Sequence, residues 1–202
     1  MSVPASYFEE MYGHASDPWG LATRWYERRK YACSLAALPE PVYRNAYEPG
    51  CSIGVLSAGL AQRCERLLCT DMMDTAVEQA ARRMADLSHV EVHAQRVPEE
   101  WPGDRFDLIV VSELAYYFGP SDRELLWSRV LDTLEPDGTL LAVHWRQSVP
   151  GYACDGDRVH RELDAHPGLC ALTRLSDPDF LLGVYRRSGG SAASVAQREG
   201  LR

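Results

Sequence analysis

Two glycines close a short turn, Gly50-Cys51-Ser52-Ile53-Gly54, with Glu48 just ahead of it and a lone carboxylate, Asp71, roughly twenty residues beyond. Glycine lacks a Cβ, so the backbone here can bend sharply and lie against a ligand. A carboxylate at that distance is what a βαβ unit brings to a bound ribose. The set therefore predicts a site for an adenosine-containing cofactor. A departure from the dinucleotide pattern narrows the choice. A pyrophosphate needs glycine at the middle of the turn so that it can sit on the helix N-terminus. Ser52 and Val55 stand at the second and third glycine positions, and Glu48 adds negative charge nearby. A ligand with cationic groups and no phosphate suits these residues. S-adenosylmethionine, with its sulfonium and α-ammonium, is such a ligand. The plainer reading is an ordinary glycine turn in an unrelated α/β protein; Glu48, Asp71 and the downstream order of elements weigh against it.

Other residues carry two readings each. Asp71 is a ribose ligand or a carboxylate favoured by a helix dipole, and Asp74 leaves it free of capping duty. Glu113 follows a buried strand at the edge where open α/β sheets bind ligands, or is a solvated loop charge. His144 ends another buried strand, so it is either a general base or a hydrogen-bonded structural histidine. Tyr26, Arg29 and Lys30 share one helical face, which is either a basic solvated surface or a clamp for the cofactor's carboxylate. Trp19 is core or a lid over the cleft. Cys51 reads as a small apolar loop residue, because no histidine or lysine beside it would lower its pKa. The histidines lack metal-ligand spacing, and no bound metal is expected.

These side chains need a scaffold to hold them. A strand over 44–48, a helix over 55–64 and a strand over 67–70 come first. A helix from Asp74 to about Asp86 and a strand over 90–94 follow. Phe106-Asp107-Leu108-Ile109-Val110-Val111 is the near-continuous apolar run of a central parallel strand. A helix capped by Ser121 or Asp122 runs to Leu134, a turn at Pro136-Asp137-Gly138 leads to a strand over 139–144, and a helix spans 156–165. Strands over 169–175 and 180–186 are too close for a helical crossover, so they form an antiparallel pair. The fold class is α/β: a Rossmann-like, seven-stranded, mostly parallel sheet with an antiparallel terminal hairpin and helices on both faces. Residues 1–187 make one domain, with 1–40 a helical cover over a 41–187 core. The small, polar stretch 188–202 reads as a disordered tail.

The chain has 202 residues, 46% hydrophobic and 25% charged, which is globular composition. A net charge of −8 argues against a general nucleic-acid binder, which needs a basic surface. No apolar run is long enough to span a membrane, and the first residues lack the pattern of a signal peptide. Six scattered cysteines then read as reduced thiols, with the cytoplasm as the compartment.

With Glu48-Pro49-Gly50-Cys51-Ser52-Ile53-Gly54 and Asp71, the chain resembles the class I S-adenosylmethionine-dependent methyltransferases. Asp17-Pro18-Trp19, Tyr26-Glu27-Arg28-Arg29-Lys30-Tyr31, the run from Phe106 to Ser112-Glu113 and Val143-His144-Trp145-Arg146 resemble the NodS-type group within them. The resemblance covers roughly residues 7–186. It implies that Glu48, Gly50, Cys51 and Gly54 hold the amino-acid end of the cofactor. Asp71 then takes the ribose hydroxyls and Met72 packs on adenine. Tyr26 and Arg29 clamp the carboxylate. Adenine is read around Gln95-Arg96-Val97, by Gln95 or backbone, since arginine accepts no hydrogen bond. Ser112 and Glu113 lie beside the transferable methyl, with Glu113 or His144 as proton acceptor. Trp19, Tyr117 and Trp145 are the expected acceptor contacts. The implied reaction is N-methylation of a small-molecule amine. O- or C-methylation of a secondary metabolite, or a non-catalytic cofactor-binding subunit, are the alternatives.

Overall fold

The apolar run at 106–112 decides the architecture. In the protein, described over residues 1–189 and 193–201 by a computed structural model, Phe106–Ser112 (β4) lies at the centre of a seven-stranded sheet. Its alternate side chains enter two cores. Leu108 and Val110 face one, with Leu56, Leu60, Ala80 and Met84. Ile109 and Val111 face the other, with Leu126, Trp127, Val130 and Val159. Burial on both faces is why the strand lacks polar alternation.

The remaining strands are Ala46–Pro49 (β1), Leu67–Asp71 (β2), Val90–Ala94 (β3), Leu134–Trp145 (β5), Leu169–Ser176 (β6) and Phe180–Arg187 (β7), in spatial order β3-β2-β1-β4-β5-β7-β6. The first five are mutually parallel, and β7 inserts antiparallel between β5 and β6. The helices are Ala5–His14 (α1), Trp25–Ala37 (α2), Val55–Leu60 (α3), Asp74–Arg83 (α4), Pro120–Thr133 (α5), Gly156–Asp164 (α6) and Val195–Arg198 (α7). The strand order reverses between β1 and β4. A crevice therefore opens at their carboxyl ends, the position where open α/β sheets take ligands.

Several boundaries differ from expectation. β1 begins at Ala46 because Asp107 accepts from the Arg44 and Asn45 amides at 2.8 and 2.9 Å, tying that segment to a side chain instead of a strand. The Pro136-Asp137-Gly138 segment is part of β5, and the register shifts opposite it between Phe106 and Leu108. α3 tightens into one 3₁₀ turn after Leu60. α4 is capped at Met73, with Asp74 inside its first turn, and α5 starts on Pro120 after Gly119. α1 was not expected at all; it buries none of its own residues fully, so no apolar stripe betrays it. The expected disordered tail is corrected in part. Ser194 and Gln197 form a reciprocal capping box on α7, and Arg198 donates to Glu40 and to the Pro39 carbonyl. Residues 190–192 and 202 lie outside the described residues. No helix among the described residues is long and apolar enough to cross a membrane.

Candidate functional site

A cavity of about 620 Å³ fills the crevice at the carboxyl ends of β1, β2 and β4 and extends beneath α1 and α2. The glycine turn forms its floor. Gly50, Ser52 and Gly54 all adopt left-handed conformations, at φ +70°, +50° and +75°. The turn is tied to β2 where the Cys51 amide donates to the Thr70 carbonyl at 2.9 Å. The two glycines serve different ends. A Cβ on Gly54 would meet Ala80 Cβ at 2.9 Å, so Gly54 lets α4 pack against the turn and does not line the cavity. A Cβ on Gly50 would meet Leu114 Cδ1 at 2.9 Å, and Gly50 does line it.

Asp71 ends β2 facing the same cavity. Its two oxygens accept from the Ser52 and Met73 amides, both at 2.9 Å, so the carboxylate braces the turn from below. A carboxylate offers about four acceptor sites, which leaves capacity for ligand hydroxyls. Burial raises its pKa, and the backbone amides oppose that shift. Glu48, 2% exposed, accepts from Ser57 Oγ at 2.5 Å. Burial pushes its carboxyl up to about 7, so its charge responds to whatever cation lies nearby. Met72, Gln95, Arg96 and Val97 line the wall beyond Asp71. There the Gln95 amide donates to the Asp71 carbonyl and the Arg96 amide to Glu100. The Cys51 thiol is buried, and a hydrogen bond with Cys69 followed by burial raises its pKa well above normal, which makes it inert as a nucleophile.

Ser112 and Glu113 line the opposite wall. Glu113 is left-handed at φ +53°, a costly conformation for a residue with a side chain. Three donors hold it there: Lys30 Nζ on one oxygen, with the Tyr116 hydroxyl at 2.5 Å and the Trp145 amide at 2.9 Å on the other. Lys30, on the helical face read as either a solvated surface or a clamp, is 2% exposed and also stands 3.0 Å from Glu27.

Two expectations fail. His144 does not reach the cavity. It is fully buried, its Nε2 accepts from the Ala115 amide at 3.2 Å, and its Nδ1 lies 3.3 Å from His160. Burial, then the neighbouring His160 and Lys30, hold its pKa well below normal, so the imidazole is neutral and structural. Arg29 likewise turns away. It pairs with Asp177 at 2.7 Å and lies over the Phe180 ring, and the cavity wall does not include it.

Trp19, Tyr26, Tyr117 and Trp145 all line the cavity. Tyr26 packs edge-on to Trp145, and its buried hydroxyl has no hydrogen-bond partner among the described residues. Burial, then Glu113, raises that phenol's pKa, so it stays a donor. Sequence reading missed Tyr12, which bonds Ser52 Oγ at 2.6 Å and packs against Trp19. It also missed Tyr152, whose hydroxyl lies 3.2 Å from those of both Tyr7 and Tyr117. Among the described residues no cluster of three or more His, Cys, Asp or Glu side chains is arranged for a metal.

A reversed parallel sheet ending in a hairpin, with an acidic crevice and no phosphate-binding glycine, defines a methyltransferase of the Rossmann-like class. The chain belongs to the NodS family: the model of Nodulation protein S matches residues 9–152. Nodulation protein S of Bradyrhizobium diazoefficiens is 32% identical over 186 residues, 88% of this chain and 89% of that one. The Rhizobium tropici protein of the same name is 33% identical over 129 residues, 63% of this chain and only 54% of that one. The crystal structure of N-methyltransferase NodS from Bradyrhizobium japonicum WM9, in complex with S-adenosylhomocysteine, superposes with a TM-score of 0.82 at 26% identity, covering 91% of this chain and 97% of that one.

Proposed function

We propose that this chain transfers a methyl group from S-adenosylmethionine to an amine of a small molecule. It is an S-adenosylmethionine-dependent methyltransferase by family and by fold, and the reading concerns its acceptor and the roles of its residues. One observation carries the choice of an amine. The cavity is walled by Glu27, Glu48, Asp71, Glu99, Glu113 and Asp122 against Arg24, Lys30 and Arg96, an acidic excess that draws in a cation.

The residues fit the cofactor. Gly50 and Cys51 give a bare backbone for its amino-acid end. Gly54 shapes that turn from outside the cavity. Glu48 supplies charge toward its ammonium, and the free Tyr26 hydroxyl can donate to its carboxylate. Asp71 takes the ribose hydroxyls. Met72, Gln95, Arg96 and Val97 enclose adenine. Bound there, S-adenosylmethionine supplies an electrophilic methyl on a leaving group that needs no protonation. What remains for the protein is alignment, which is worth several kcal/mol.

Glu113 acts here by charge. Its oxygens already accept from three donors, so it serves as a fixed anion beside the nitrogen on which positive charge grows during transfer. With His144 withdrawn from this wall, an amine is the acceptor that asks least of a base: the ammonium gives its proton to solvent before transfer and the neutral nitrogen attacks the methyl, which favours N- over O- or C-transfer. Residues 1–40 act as the cover and 41–187 as the core, with Tyr12 and Trp19 closing over the turn. Six cysteines, none in a disulfide, agree with work in the cytoplasm.

The test is a matched pair of acceptors differing only in amine against hydroxyl, assayed with labelled cofactor. The amine is methylated, and Glu113→Gln lowers kcat on it ~10²-fold while S-adenosylhomocysteine affinity changes little. Methylation of the hydroxyl compound alone would refute the amine reading.

A further inference from the structure

We propose that Lys30 is a positioning residue for methyl transfer: it holds the Glu113 carboxylate against the acceptor nitrogen and keys the cover helix α2 to the end of β4. The inference rests on the amine reading above and adds a residue that the reaction itself does not require.

The observations start from cost. A lysine 2% exposed is expensive to bury, and a buried ion pair stabilises a fold no better than apolar side chains of the same volume. On a helix packed against a sheet, a methionine or leucine would fill this space at least as well. The ammonium therefore needs another reason, and its contacts supply one. It donates to Glu113, while Glu27, three residues back on α2, stands 3.0 Å away without hydrogen-bond alignment. The directional bond thus crosses from α2 to the residue just past β4, while Glu27, which also lines the cavity, supplies countercharge from the same helix as Lys30. The rings of Tyr26 and Tyr31 flank the ammonium at 4.9 and 5.8 Å and exclude water from it.

The geometry at Glu113 explains what the bond does. The residue sits at φ +53°, a conformation that persists only when its surroundings over-determine it. Tyr116 and the Trp145 amide both hold the same oxygen, Oε2. Among the described residues Lys30 alone holds Oε1, so it anchors the carboxylate from the side opposite those two donors. Without it the carboxylate can swing, and the charge that faces the acceptor loses its direction. An error of about 1 Å in such a group costs ~10²-fold in rate.

Two variants separate positioning from packing and from net charge. Lys30→Met strands two carboxylates in a buried place and can unfold the protein. Lys30→Met/Glu27→Gln removes one of them and restores the original local charge of −1, so it carries the test if the single variant fails to fold. Thermal melting, S-adenosylhomocysteine calorimetry, steady-state kinetics on the amine and a crystal structure are measured on each folded variant. The double variant is expected to melt near wild type and bind S-adenosylhomocysteine within about threefold. Its kcat on the amine falls at least tenfold, and its Glu113 carboxylate appears rotated or split between positions. Lys30→Arg, which keeps a charged donor, regains part of the rate. A double variant that turns over at the wild-type rate, or shows Glu113 unmoved, would overturn the proposal. Failure of the underlying reading looks different: the wild-type protein itself would then leave the amine unmethylated.

Discussion

Gly50→Val abolishes binding of S-adenosylhomocysteine while leaving the protein folded. Two effects combine. Gly50 has φ +70°, a region closed to β-branched residues, so valine must pull the turn out of shape. Its Cβ would also lie 2.9 Å from Leu114 Cδ1. The contact alone is tolerable, because a leucine methyl can rotate away; the backbone conformation is not. Distorting this turn moves the Cys51 and Ser52 amides that join it to Thr70 and Asp71. The surrounding sheet does not depend on it, since β1 keeps its pairing with both β2 and β4. Calorimetry should show no measurable heat, with circular dichroism and melting near wild type. Normal affinity in Gly50→Val would mean that the cofactor lies elsewhere.

Asp71→Ala should weaken the same binding by ~2 kcal/mol or more, about thirtyfold, because four donors lose their acceptor together. Two are the ribose hydroxyls. The other two are the Ser52 and Met73 amides, which the structure shows bonded to this carboxylate. The variant therefore damages the turn as well as the contact, and Asp71→Asn separates the parts. An amide keeps one acceptor oxygen and should recover some of the loss. Wild-type affinity in Asp71→Ala would remove the ribose assignment.

The residues behind these two predictions were legible because they are local. A turn made of two glycines and a carboxylate at the end of the next strand are fixed by short-range backbone requirements, and short range is what a sequence displays. The sheet was legible for the same reason: buried strands announce themselves by apolar runs, and the terminal hairpin by too little chain for a helix. The misread charges depend on distant partners. Lys30 looked solvated because its partner Glu113 is distant in the chain, and burial of a charge depends wholly on such a partner. Arg29 looked free for a ligand because Asp177, which engages it, is further away still. His144 was assigned to the cleft from its place near the end of a strand. Which face a strand residue takes changes with a one-residue step, and here the imidazole turns under the Ala115 amide. α1 was missed because it brings no apolar stripe, although its Tyr12 reaches the centre of the glycine turn.

The most direct measurement is a crystal structure of the protein with S-adenosylhomocysteine and an amine acceptor. Both ribose hydroxyls should lie within hydrogen-bond reach of Asp71, the amino-acid end should run along Gly50 and Cys51, and the acceptor nitrogen should sit between the sulfur and Glu113. A cofactor bound away from the glycine turn, or a nitrogen remote from Glu113 with the cofactor in place, would contradict the account.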